Sequence, residues 1–132
     1  MAEVPERIKE CFVTKEVNKA GIYLMRFWIN GVETPVIVDD HFPCRNGAPC
    51  FSKSNTQEIW AMLLEKAWAK LYGSYARTEA GNAAFASVHL QGVPSWNLKH
   101  EEFKTKEDKD KFWYMIKSMD SRHFTMMASS HG

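Results

Sequence analysis

Residues Ser54 to Tyr75, SNTQEIWAMLLEKAWAKLYGSY, decide how the rest of the chain is read. Ile59, Leu63, Ala67 and Leu71 recur every fourth residue, and Trp60, Leu64, Trp68 and Tyr72 repeat the pattern one position later. At about 100° per residue these positions form one broad apolar stripe. Lys66, Lys70, Glu58 and Ala69 fall on the other side, and Glu65 sits at the stripe's edge beside Trp68 and Tyr72. The spacing predicts a long amphipathic helix. Asn55 with Glu58, or Ser54 with Gln57, can form a capping box at its start. Lys70 suits the C-terminal dipole and Gly73 the C′ position.

Such a stripe needs a partner, and the segment before it supplies one. Ile22–Ile29 and Val32–Val38 flank Asn30-Gly31. A two-residue Asn-Gly turn fits a tight hairpin because both residues tolerate positive φ. Closing it pairs Ile29 with Val32, Phe27 with Thr34, Met25 with Val36 and Tyr23 with Val38. Those side chains share one nearly all-apolar face. The other face carries Trp28, Glu33, Arg26, Pro35, Leu24 and Ile37. Arg26 and Glu33 lie diagonally there and can pair for little energy. Pro35 cannot donate to a ladder, which puts the second strand at an edge. A second Asn-Gly pair, Asn46-Gly47, predicts a short second hairpin between Pro43-Cys44 and Pro49-Cys50.

The flanks read less sharply. Pro5–Lys15 suits an edge strand or a single helical turn. Ala83–Leu90 suits a short helix broken by Val93-Pro94. Lys99–Lys111 is a charged run that reads as a solvated loop entering a helix. Phe112, Met115, Ile116 and Met119 then predict a second amphipathic helix over Glu107–Met119, and Phe124–Ala128 suits a final strand. The fold class is α+β: antiparallel hairpins packed on the amphipathic helix.

The totals bound the function. At 132 residues the chain is one domain or part of one. Its 45% hydrophobic content is that of a folded chain, with disorder expected only at the ends and in the charged run. Seventeen basic residues against sixteen acidic leave a net charge of +1, so nucleic acid is not an expected partner. No apolar run reaches the roughly 20 residues of a membrane span, and the N-terminus has no secretory h-region. Three cysteines without a secretory signal point to reduced thiols and a cytoplasmic setting.

Local chemistry is sparse. His41, Cys44 and Cys50 cluster around one turn, but structural zinc needs four ligands and closer cysteine pairs. A nucleophilic thiol needs a base and usually a helix N-terminus, and none of Cys11, Cys44 and Cys50 opens a convincing helix. The five histidines read as surface or loop residues. Asp39 and Asp40 are neighbours in a strand, so their carboxylates point to opposite faces.

Resemblance carries further. Gly21-Ile22-Tyr23, Phe27-Trp28, Val36-Ile37-Val38-Asp39-Asp40, Pro43, Asn46-Gly47, Phe51-Ser52-Lys53-Ser54 and Trp60 to Tyr75 follow in the order found in the calpain protease core. The chain resembles the middle of that core. Gly81 and Gly92 stand where the family usually has Gly-Gly pairs, with Ala80 and Gln91 replacing one glycine of each. The resemblance implies a partial papain-like fold: residues 1–80 as the back half of the first protease subdomain, 81–106 as the region between subdomains and 107–132 as the start of the second. It implies a calcium-dependent cysteine endopeptidase acting on protein substrates. The family's nucleophile, histidine and asparagine motifs are not found in this sequence, so the chain alone is expected to be inactive. Glu65 is, by resemblance, a calcium ligand of the first subdomain. A lone carboxylate does not hold Ca²⁺, which takes about 6–8 oxygens, so Glu65 alone is expected to be solvated and Ca²⁺ to be bound only in the parent family. The alternative reading is a noncatalytic calpain-like protein-binding module. A stripe without its usual covering would leave apolar surface open to association.

Overall fold

A computed structural model describes residues 5–53 and 58–128. They fall into two compact units, one within Ala2–Pro94 and one within Ser95–Gly132.

The first unit is built on the expected hairpin. Strands β1 (Ile22–Ile29) and β2 (Val32–Asp39) pair antiparallel. Ile29 stands opposite Val32, Phe27 opposite Thr34, Met25 opposite Val36 and Tyr23 opposite Val38. Asn30 and Gly31 both take positive φ, 52° and 78°, so the turn fixes that register. One face is buried: Tyr23, Met25, Phe27, Val36 and Val38 form the core with Leu63 and Ala67. Burying a side chain such as Phe27 or Met25 contributes roughly 1.5–3 kcal/mol. The Tyr23 hydroxyl is buried there with no hydrogen-bond partner among the described residues. Arg26 and Glu33 approach to 3.8 Å on the other face. Both are exposed, so the pair adds little.

Both edges of this hairpin are closed by specific groups. On the β1 side, Leu24 O accepts from Val13 N and Thr14 N at 2.9 and 3.1 Å. Phe12 forms an isolated bridge to Met25. The N-terminal segment thus becomes helix α1 (Pro5–Cys11) followed by a short edge pairing. On the β2 side, Pro35 has no N–H, and Lys70 Nζ donates to Ile37 O at 2.7 Å. Lys66 Nζ donates to Asp39 O at 3.2 Å. An open strand edge would invite another chain to pair with it; this one is capped by lysines and a proline.

The second Asn-Gly turn also forms. Strands β3 (Cys44–Arg45) and β4 (Ala48–Pro49) pair across Asn46 and Gly47, whose φ values are 53° and 78°. The main helix, α2, spans Trp60–Tyr72, shorter than the Ser54–Tyr75 expected from periodicity. Ser54–Gln57 lie outside the described residues, and with them most of each proposed capping box. Glu58 and Ile59 are described and are not helical. Ile59 is the N-cap, and its side chain has no oxygen with which to cap. Glu58 instead accepts from the Trp60 indole at 3.2 Å. At the other end Gly73 is left-handed, as expected, and stops the helix. The buried stripe holds Leu63 and Ala67, with Ile59, Leu64, Trp68 and Leu71 half-buried against the core. Ala69, on the polar side by periodicity, is also buried. Period alone assumes one covered face, and a helix inside a fold can be covered on more than one.

Helix α3 (Ala83–Gln91) starts at Asn82, whose side chain accepts from Ala84 N and Phe85 N, and ends at left-handed Gly92. A Cβ on Gly92 would lie 2.6 Å from the Trp28 ring, so the indole occupies the space a side chain would need. By contrast, a Cβ on Gly81 would meet nothing within 4 Å. Of the two places where the family pattern is half-lost, Gly92 is the residue the packing requires.

In the second unit, helix α4 (Lys106–Ser121) replaces the expected Glu107–Met119. Thr105 and Asp108 form a reciprocal capping box. Glu107 and Lys111 pair at 2.8 Å in the favourable i,i+4 order. The helix ends in a left-handed turn at His123, φ 57°, with Phe124 N donating to Met119 O at 3.0 Å. Phe103 packs on Phe112 with ring centroids 4.5 Å apart. No residue of α4 is fully buried. The strand expected at Phe124–Ala128 does not form. A strand needs a ladder partner, and the described residues of this unit contain no other strand.

Candidate functional site

Two consecutive residues of α2 face the Asp39–Ser52 segment, which carries the second hairpin. Glu65 and Lys66 have opposite charges and grip its opposite ends. Lys66 Nζ meets Asp39 Oδ1 at 2.7 Å and also donates to His41 O. Its ammonium lies 5.7 Å from the centre of the Phe42 ring. Glu65 Oε2 accepts from Ser52 N at 2.8 Å. Between these grips, Phe42, Pro43, Pro49, Phe51, Met62, Glu65 and Tyr75 line a shallow pocket. Phe51 stacks on Tyr75 with centroids 4.2 Å apart and planes 2° from parallel.

The electrostatics follow from these contacts. The Lys66 ammonium and the His41 N–H hold the Asp39 carboxyl well below its usual range, at about 2. Burial pushes the Tyr75 phenol up, and the charges of Glu65 and Asp39 push it the same way. The Asp39 shift favours the charged carboxylate that pairs with Lys66.

Glu65 is therefore not simply solvated, as a lone carboxylate at the stripe's edge was expected to be. It is half-buried and holds a backbone amide. As a calcium site it is incomplete. It offers one carboxylate, one oxygen of which is already engaged. No group of three or more His, Cys, Asp or Glu among the described residues is placed to hold a metal. That donor set does not fit Ca²⁺.

The cysteines stand apart. Asp39 and Asp40, expected on opposite faces, both approach His41, because β2 ends at Asp39 and strand alternation does not carry to Asp40. His41 lies 3.2 Å from Asp39 Oδ1 and 3.6 Å from Asp40 Oδ1, almost fully exposed. Cys44 and Cys50 are exposed, and Cys44 Sγ turns to Phe42 O at 3.4 Å. Cys11 is buried at the end of α1, with Sγ 3.2 Å from Leu90 O. Burial pushes its thiol up, the reverse of what a nucleophile needs.

One pair escaped the sequence reading. His89, expected at the surface or in a loop, is buried on α3, and its Nδ1 is hydrogen-bonded to the Tyr72 hydroxyl. Phe85, four residues earlier on the same helix face, has its ring 4.0 Å from the imidazole. The i, i+4 spacing of Phe85 and His89 was the available signal.

The arrangement of hairpin, gripped segment and helix matches the order of motifs quoted above. The family model described as calpain family cysteine protease matches residues 1–132. This chain belongs to the calpain family of cysteine proteases. The calpain-type cysteine protease ADL1 of Oryza sativa subsp. japonica is 48% identical over 88 residues, 65% of this chain and 4% of that protein. Calpain-5 of Caenorhabditis elegans is 38% identical over 108 residues, 81% of this chain and 16% of that protein. Calpain-10 of Rattus norvegicus is 42% identical over 82 residues, 60% of this chain and 12% of that protein. The chain thus spans a small part of the length of these calpain relatives. No helix of the described residues is long and apolar enough to cross a membrane.

Proposed function

We propose that this chain is a section of the protease core of a calcium-dependent, calpain-type cysteine endopeptidase acting on protein substrates in the cytoplasm, and that by itself it does not cleave peptides. The observation that carries the reading is the calpain-family match over residues 1–132. Residues 1–80 serve as the back half of the first protease subdomain, 81–106 as the region between subdomains and 107–132 as the start of the second. The work of the section is to brace: α2 carries the hairpin on one side and grips the Asp39–Ser52 segment on another. The inactivity rests on chemistry. Covalent catalysis needs an activated nucleophile. Cys11 is buried with a raised thiol, and Cys44 and Cys50 stand on a turn that opens no helix. Calcium belongs to this reading through the longer protein, where Glu65 contributes one carboxylate and other oxygens complete the set. Exposed Trp96, Trp113 and Tyr114 make apolar association with further protein surface part of the same reading.

The test is direct. The purified chain, given a fluorogenic peptide with and without calcium, is expected to show no cleavage beyond the buffer rate. Calcium-stimulated turnover abolished by a thiol reagent overturns the inactivity.

A further inference from the structure

The Tyr72–His89 pair lies outside the gripped segment, and His89 lies outside the motifs that carry the family resemblance. Its surroundings are aromatic. Trp68 and Tyr72 come from α2, each with its ring centroid 6.0 Å from the imidazole. Phe85 comes from α3 itself. Burial holds the Tyr72 phenol protonated, so it donates, and the neutral imidazole accepts at Nδ1 with its own proton at Nε2. The ring is 6% exposed.

The charged groups of α2 and β1 are committed elsewhere. On α2, Glu65 holds Ser52, Lys66 holds Asp39 and Lys70 holds Ile37 O. On β1, Arg26 reaches Glu10 O at 2.9 Å and Glu33 at 3.8 Å. On α1, Cys11 reaches Leu90 O. Among the described residues, Tyr72 is the titratable group bonded to the imidazole, and it carries no charge with which to balance an imidazolium. Burial alone holds the imidazole below its ordinary range.

We propose that the Tyr72–His89 hydrogen bond is an acid-sensitive latch between α2 and α3. Neutral His89 fits the aromatic pocket and accepts the phenol proton. On protonation Nδ1 becomes a donor, the hydrogen bond loses its acceptor, and a charge stands in a pocket where no described residue forms an ion pair with it. The relief is for α3 to leave α2, taking Leu90 and Gly92 from Cys11 and Trp28. The sign is fixed by the direction of the shift. The docked state prefers the neutral ring, so docking is at full strength above about pH 6.5 and is lost as pH falls through the lower docked-state value.

Amide hydrogen exchange of residues 83–91 in the full chain, corrected for the intrinsic pH dependence of exchange, tests this. Between pH 7.5 and 5, protection is expected to fall on the order of tenfold if docking lowers the His89 midpoint by one unit, and by at most about thirtyfold for larger shifts. His89→Gln keeps an acceptor for Tyr72 and cannot take a proton; it is expected to flatten the profile. Equal pH dependence in wild type and His89→Gln overturns the latch, as does a flat wild-type profile. NMR titration of the His89 ring in the wild type covers the case of a variant that does not fold. A midpoint below 6.5 that coincides with changes at Trp68 supports the latch, and a midpoint at or above 6.5 refutes it.

Discussion

Helices α2 and α4 look alike in sequence and differ in what holds them. Each shows an apolar stripe at helical spacing. Helix α2 buries Leu63, Ala67 and Ala69 against a sheet, yet has no side-chain cap at its start. Helix α4 is three residues longer (16 against 13), has a full capping box and an i,i+4 ion pair, and buries nothing completely. The stripe therefore states a capacity for packing, and the sheet realises it. Without such a partner in its own unit, a helix leans on local devices worth a few tenths to about 1–2 kcal/mol each.

That contrast breaks most readily at Phe27. Its ring is fully buried and packs on Trp68 at 5.8 Å. Phe27→Ala is expected to cost about 3–5 kcal/mol in denaturant unfolding, enough to unfold a marginal domain. Met115→Ala on the half-buried face of α4 is expected to stay within about 1 kcal/mol. Equal losses at the two sites would erase the difference between the helices.

Gly92 should come next. Its φ is +67° and the Trp28 indole fills its Cβ position. Gly92→Ala is expected to cost at least about 1–2 kcal/mol from the left-handed backbone alone, with the ring contact added. Gly81→Ala, into open space, is expected to be neutral within about 0.5 kcal/mol. The thermal midpoints of the two variants measure the gap.

The cap sharpens the other side of the contrast. Thr105→Ala removes an acceptor for Asp108 N at 3.1 Å. It is expected to cost α4 about 1 kcal/mol and to raise amide exchange in its first turn, leaving β1 and β2 protected. A loss of protection in both units would mean that α4 is not locally held.

The smallest effect is electrostatic. Asp39, with its carboxyl at about 2 in the folded chain against about 3.9 unfolded, favours folding above about pH 4. That contribution is lost as pH falls from about 4 through 2. Asp39→Asn should flatten this part of the stability–pH curve, read as the denaturant midpoint at each pH. Because Asp39 is open to solvent, added salt should flatten it too.

How much was legible follows from how local each signal is. The β1–β2 register was fixed by Asn30-Gly31 and the alternation around it, since a one-residue slip would turn the apolar face to water. The C-terminal stop at Gly73 was equally local. The start of α2 was not, because the apolar period ran on through Ile59, which is not helical. The strand at Phe124–Ala128 failed for a non-local reason: its own residues were suitable, and no partner strand lies among the described residues of its unit. The site divides in the same way. Glu65 was singled out by a motif, whereas its grip on Ser52 N depends on where the second hairpin folds.

By itself, then, the sequence determined the family, the two Asn-Gly turns, the sheet's buried face and the helix stripe that covers it. Those follow from periodicity and turn stereochemistry within a few residues. Tertiary structure alone decided that Lys66 and Lys70 close the β2 edge, that Trp28 occupies the space beside Gly92, and that His89 meets Tyr72 in an aromatic pocket. Each of those contacts joins residues far apart in the chain, and no local pattern specifies a contact whose second half lies on another element.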